Sequence, residues 1–259
     1  FPYTTLFRSN LHNDIKVGDT ILADDGTLRF SVVAIQGRDI ICRTLNVGQL
    51  RSKKGINVPF VKLNTPLITE RDRQMIAFAI ELGVDFVGIS FVESAQHIRE
   101  IRSLITSSTP RILAKVENQG GVDNLDEITE EADAVMIDRG DLSVETSLEL
   151  LPIYQKKIIN SAKRVGKPII VATEMLHSMI ANDFPTKAEV VDIGNAVYDG
   201  CSATMLSGET AVGFFPVKSV EVMRSVVDAV SENLLGRLQK ETLEHSTSHS
   251  EIGRASCRE

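Results

Sequence analysis

No stretch of the 259 residues stays apolar over the roughly 20 positions that a bilayer-crossing helix needs, so the chain carries no such span. Lys and Arg form no run either, and the net charge is −7 with a pI near 5.4. Affinity for a phosphate backbone comes from clustered basic charge, so nucleic acid is not the main partner, although a pocket for a single nucleotide is compatible with this balance. Cysteine is scarce. Cys257 sits near the C-terminal end, and Cys42 and Cys201 are far apart, without a CxxC or Cys/His spacing. His97 and His177 also lack metal-ligand spacing and read as ordinary helix or loop residues. These absences lead to the expectation of a cytoplasmic protein with a sizeable apolar core.

The two ends look foreign. Phe1–Ser9 reads FPYTTLFRS, a translation of TTTCCCTACACGACGCTCTTCCGATCT, a DNA string that resembles a common short-read sequencing adaptor. The reverse complement of that string, with one leading G, translates as EIGRASCRE, which is Glu251–Glu259. Residues 1–9 and 251–259 are therefore expected to be adaptor-derived, and residues 10–250 to be the biological segment.

Between Val17 and Val58 short β-branched runs alternate with turns: Thr20–Ala23, then Asp24-Asp25-Gly26, then Ser31–Ile35 and Ile40–Leu45. This predicts a small β module over residues 10–63. After Asn64-Thr65-Pro66 the rhythm lengthens, and Thr69 signals the start of a helix containing Ile76, Phe78, Ala79 and Leu82. Five apolar runs then end in polar clusters, each followed by a helical pattern: Asp85–Phe91, Arg111–Glu117, Ala134–Asp141, Pro168–Glu174 and Ala203–Glu209. Near-continuous apolar runs suit parallel strands buried on both faces, with helices as crossovers. An open sheet and a barrel both satisfy that pattern. In a (β/α)8 barrel the chemistry gathers at the C-terminal strand ends, where all these polar clusters fall, so the expected fold is α/β: a partial TIM barrel of about five strands over residues 64–250, preceded by part of a small β-barrel domain.

Lys115 and Glu117 lie two apart at one strand end and share a face. An isolated pair of this kind is equally well a buried ion pair. Asp141, ending the next run, supplies a second carboxylate, and two carboxylates with open positions are a common way to hold Mg²⁺ against a phosphorylated ligand. Lys115 would then face a transferring phosphoryl group. Gly140, beside Asp141 at a helix start, would expose backbone N–H groups to an anion, although an Arg-Gly-Asp triplet alone equally describes a surface turn. Thr173 ends the following run, where its hydroxyl could bind an anionic oxygen or serve only as a β former.

Taken in order, these segments resemble the pyruvate kinase family along nearly all of residues 10–250. The motifs that carry the likeness are Ser52-Lys53-Lys54-Gly55-Ile56-Asn57-Val58-Pro59, Lys115-Val116-Glu117-Asn118, Arg139-Gly140-Asp141-Leu142, Ala172-Thr173-Glu174-Met175-Leu176, Pro185-Thr186-Lys187-Ala188-Glu189, Asn195-Ala196-Val197 and Met205-Leu206-Ser207-Gly208-Glu209-Thr210. The resemblance implies that residues 10–63 are the C-terminal part of a lid (B) domain. It also implies phosphoryl transfer from phosphoenolpyruvate to ADP, giving pyruvate and ATP. Lys115 would stabilise the phosphoryl in flight, and Glu117 and Asp141 would bind Mg²⁺ or Mn²⁺. Gly140, Asp141 and Thr173 would hold the substrate, and Lys54 would meet nucleotide phosphates. By the same resemblance the parent protein is a homo-oligomer, a tetramer. The family's potassium ligands and a substrate-contacting arginine belong to strands outside this segment, and an unclosed barrel exposes strand edges and apolar core, so the segment alone is expected to be inactive and poorly stable.

Several positions depart from the family pattern. Asp138 replaces a small residue, Glu174 a Gln, Glu93 a basic residue, Ser143 a Gly and Lys187 an Arg. The first three add negative charge, which weakens anion binding unless a cation compensates. Two other readings follow. One is a metal-dependent barrel enzyme acting on an enolate, such as a pyruvate aldolase, which has no need of the β module or of Lys54. The other is a non-catalytic regulatory paralogue, suggested by Asp138 and Glu174.

Overall fold

The structure, a computed structural model, describes residues 10–255 other than Asp25, Lys53, Lys62 and Thr65. The expected adaptor stretch Phe1–Ser9, Cys257, and the Asp25, Lys53 and Thr65 positions of the motifs lie outside the described residues. The chain divides into two compact units, one ending at Ala172 and one beginning at Thr173.

The first unit opens with four antiparallel strands, β1 (Thr20–Ala23), β2 (Leu28–Gln36), β3 (Asp39–Thr44) and β4 (Ile56–Asn57), in the order β3-β2-β1-β4. Alternation brings Ile21 and Val32 together with Ile15 and Val58 in a small apolar core. The turn from β1 to β2 uses left-handed backbone at Asp24 and Gly26, closed by the Thr27 N–H donating to the Asp24 carbonyl at 3.1 Å.

Helix α1 (Glu70–Leu82) starts where the sequence predicts. Thr69 accepts from the Asp72 N–H, and Asp72 accepts in return from the Thr69 N–H at 2.8 Å, which forms a capping box. Of its apolar residues only Ile76 is buried, while Phe78 and Leu82 stay half-exposed or more.

A run of strand-helix repeats follows: β5 (Phe86–Ile89), α2 (Ala95–Arg102), β6 (Arg111–Val116), α3 (Gln119–Asp123), α4 (Leu125–Glu131), β7 (Ala134–Asp138), α5 (Arg139–Glu145), α6 (Leu151–Arg164) and β8 (Ile169–Ala172). The four strands pair in parallel in chain order. β7 is buried along its whole length, as expected of a strand covered on both faces, whereas the first strand, β5, is partly open. Ile112, Val116, Val135, Ile137, Ile169 and Val171 contribute fully buried side chains from the strands, and Ile98, Ile128, Ile158 and Ile159 from the helices. The expected strand ends run too long. Ala134–Asp141 turns from strand to helix at Arg139, so Gly140 and Asp141 belong to the first turn of α5.

The second unit holds a 3₁₀ turn (His177–Ile180), α7 (Lys187–Asp199), β9 (Ala203–Met205), α8 (Gly208–Ala211) and α9 (Pro216–Ala255). β9 supplies the fifth of the expected strands. Thr186 and Glu189 form a second capping box, and Glu189 also accepts from the Ser178 N–H and hydroxyl at 2.7 and 2.6 Å. Burial alone would raise the Glu189 carboxyl. The Ser178 and Thr186 donors outweigh it and hold the group below its ordinary value. A depressed folded value stabilises above the unfolded one and loses that contribution as pH falls through the folded one. The Tm advantage of wild type over Glu189→Gln should therefore be full at pH 6 and shrink below about pH 4. An advantage that stayed constant down to pH 2 would show that the charge is not what Glu189 contributes. Among the described residues no helix is long and apolar enough to cross a membrane.

Candidate active site

The parallel register pairs Val116 with Ile137, so Glu117 and Asp138 are the next residues of two neighbouring strands as both leave the sheet. Lys115, one pleat earlier on the same face as Glu117, directs its ammonium at both carboxylates. It contacts Glu117 Oε1 and lies 3.1 Å from Asp138 Oδ2, with the Ser90 hydroxyl at 3.3 Å. Asp141 joins from the first turn of α5, and one oxygen each of Glu117, Asp138 and Asp141 lie within 4.8 Å of one another.

Glu117 is fully buried. Its Oε2 accepts the Phe91 N–H at 2.7 Å, which Phe91 presents from left-handed backbone at φ 51°. Its Oε1 meets Lys115 as an ion contact, without an aligned hydrogen bond. Burial pushes the Glu117 carboxyl up to about 7; Lys115 opposes the rise and the field of Asp141 adds to it. Burial works against the Lys115 ammonium, yet Glu117 and Asp138 together hold it above its ordinary value, so it stays protonated. One ammonium is thus shared between two carboxylates.

The donor set is all carboxylate oxygen, which suits a hard divalent cation. Oxygens sharing octahedral Mg²⁺ at about 2.1 Å stand about 3.0 Å apart as neighbours and about 4.2 Å apart as opposites, so three oxygens within 4.8 Å could share one cation once their side chains close in. Glu117 Oε1, buried and touching Lys115 without an aligned hydrogen bond, is an atom a cation could satisfy.

Asn118 sets the shape of the loop below the cluster. Its side chain accepts from the Gly121 N–H at 2.9 Å and caps α3. A Cβ on Gly121 would come within 2.9 Å of the Val92 carbonyl, so only glycine allows the loop to close this tightly. Glu93 takes up the Asn118 amide at 2.6 Å and accepts the Asn124 amide on its own carbonyl at 2.8 Å. That acidic departure therefore has a structural task beside the cluster. Ser143 donates to the Gly140 carbonyl at 2.8 Å within α5. Nothing in the structure explains Lys187 in place of Arg.

The sequence-predicted residues Lys115, Glu117 and Asp141 come together, with Gly140 beside Asp141 in α5. Thr173 begins the second unit on left-handed backbone at φ 66°, as does Glu174 at 55°. Lys54 is held at 2.6 Å by Asp24, within the β module. Sequence reasoning counted Asp138 only as a departure from the family pattern and missed it as a member of the cluster. The signal was the alignment of two strand exits, which puts Glu117 and Asp138 side by side.

The sequence matches the family model for the barrel domain of pyruvate kinase over residues 4–220. The chain belongs to the pyruvate kinase family. Pyruvate kinase from Bacillus licheniformis is 46% identical over 229 residues, covering 86% of this chain and 39% of that protein. The Geobacillus stearothermophilus pyruvate kinase is 45% identical over 245 residues, covering 92% and 42%. A crystal structure of a pyruvate kinase from Cryptosporidium parvum aligns with a TM-score of 0.79 at 37% identity, over 86% of this chain and 48% of that one. The chain therefore spans about two-fifths to one half of the pyruvate kinases it matches. The strand-helix repeats are thus part of a pyruvate kinase barrel, and membership in this family speaks against the aldolase reading.

Proposed function

We propose that the protein this chain represents transfers a phosphoryl group from phosphoenolpyruvate to ADP, giving pyruvate and ATP. The observation that carries the proposal is the cluster at the ends of β6 and β7, where one protonated lysine contacts two carboxylates and a third lies beside them, in a chain of the pyruvate kinase family.

Glu117 and Asp141 would hold Mg²⁺ or Mn²⁺. When bound, such an ion neutralises charge on the phosphoryl oxygens. Lys115 keeps its proton against burial, and it would stabilise the phosphoryl in transit more than in either end state. The backbone at Gly140 and Asp141 together with the Thr173 hydroxyl would bind the substrate's anionic oxygens. The β module would act as the lid, spanning residues 10–63, with the barrel over residues 64–250. Its Lys54 would leave Asp24 to meet the nucleotide phosphates. Potassium ligands would lie outside this segment, and the parent protein would be a cytoplasmic homo-oligomer, a tetramer. The two described cysteines are free, and burial pushes the Cys201 thiol up to about 11, which fits a protein that does not rely on thiol chemistry.

The test is pyruvate release by the protein from the complete gene, recovered with primers inside residues 10–250, with phosphoenolpyruvate, ADP and Mg²⁺. Turnover that Glu117→Gln abolishes is the expected result. A folded, Mg²⁺-binding protein without turnover would favour the regulatory reading and overturn this one.

A further inference from the structure

Asp138 is the cluster member with no assigned part. A small residue there would leave two carboxylates, Glu117 and Asp141, around Lys115. Asp138 adds a third, with one oxygen within 4.8 Å of an oxygen of each of the other two and its Oδ2 3.1 Å from the Lys115 ammonium. It is nearly as sequestered as Glu117, with 8% of its surface exposed, so its charge is poorly screened by water. A cluster of acids alone would not amount to a cation site. The second observation is Glu117, wholly buried, whose Oε1 touches the Lys115 ammonium without an aligned hydrogen bond and faces the same group.

We propose that Asp138 is a third carboxylate of the divalent-cation site, giving this protein a tighter hold on the metal before any phosphorylated ligand arrives than Glu117 and Asp141 would give alone. This rests on the assignment of Glu117 and Asp141 as the cation's ligands. The donor chemistry supports it. Asp138 brings a third acidic side chain within reach of the same point, and hard divalent cations take several carboxylate oxygens. The extra carboxylate also answers the cost noted for acidic residues near an anion site, because a resident cation offsets the negative charge that an incoming phosphate meets.

The experiment is a Mn²⁺ titration of the complete protein without substrates, read by the loss of the free-ion electron paramagnetic resonance signal, for wild type, Asp138→Asn, Asp138→Ala and Glu117→Gln. Thermal unfolding of each variant checks that it is folded. Even outer-shell partners of a metal are worth about 10- to 100-fold in affinity. Both Asp138 variants should weaken Mn²⁺ binding by at least that lower factor, and Glu117→Gln by more. Wild-type affinity in both Asp138 variants, with Glu117→Gln impaired, would overturn the role of Asp138 and leave the site itself standing. Loss in Asp138→Ala but not in Asp138→Asn would overturn it as well, since shape rather than charge would then matter. No Mn²⁺ uptake by the wild type, or equal uptake by Glu117→Gln, would overturn the cation site on which the proposal rests.

Discussion

Replacing Lys115 with methionine should cut the turnover of the complete protein by about 100- to 1,000-fold, the range seen when one preorganised group that stabilises transition-state charge is removed. Methionine keeps the length of the stem and loses only the ammonium. The KM for phosphoenolpyruvate should move much less than kcat, because the proposed interaction strengthens only as the phosphoryl leaves its oxygen. A second effect separates chemistry from structure. Lys115 is the counter-ion of a fully buried Glu117 and of Asp138, and removing one partner of a buried pair costs on the order of 3–5 kcal/mol. With divalent ions chelated, Lys115→Met should therefore be several kcal/mol less stable than wild type at pH 8. It should be less penalised at pH 5, where Glu117, already raised to about 7, takes up a proton. Urea unfolding with EDTA and with excess Mg²⁺ reads this out, and the cation should restore part of the loss. A variant that turns over within fivefold of wild type would remove Lys115 from the mechanism.

The same cluster marks how far a sequence can be read. The strands were legible because parallel strands buried on both faces become apolar runs, and Arg111–Val116 and Ala134–Asp138 begin at the residues where those runs begin. Their ends were less legible. Arg139-Gly140-Asp141 was read both as the end of the run and as a helix start, and α5 begins at Arg139. The Thr69 cap was legible because a capping box is local, with both partners within three residues. The pairing of Lys115 with Glu117 followed from the two-residue pleat. Its pairing with Asp138, 23 positions on, needed the register between two strands, which periodicity does not carry. The Phe91 N–H that holds Glu117 was hidden for the same reason, since it depends on a left-handed residue 26 positions away. Lys54 was picked out by its motif, but its ion pair with Asp24 across the β module was not.

Glu209 was read only as part of the Ser207-Gly208-Glu209-Thr210 motif, and its burial gives it a larger part. It is 2% exposed, and its two oxygens each accept a backbone N–H: Oε1 from Leu176 at 2.9 Å, Oε2 from Ser207 at 2.8 Å. One carboxylate thereby fastens the segment just after Thr173 and Glu174 to the one leaving β9, both within the second unit. Glu209→Ala would leave both donors unmet, at about 1–3 kcal/mol for each buried group, or roughly 2–6 kcal/mol together. Glu209→Gln should lose about half of that, because its amide oxygen still accepts one N–H while its NH₂ confronts the other. Native-state hydrogen exchange of the complete protein tests this locally. The Leu176 and Ser207 amides should exchange at least tenfold faster in Glu209→Ala, with core amides such as Ile112 in the first unit much less affected. Since Thr173 is proposed to hold the substrate, the same variant should raise the KM for phosphoenolpyruvate more than it lowers kcat. Unchanged exchange at Leu176 and Ser207 would mean that the two segments keep their positions without the carboxylate, and the link from Glu209 to substrate binding would fall with it.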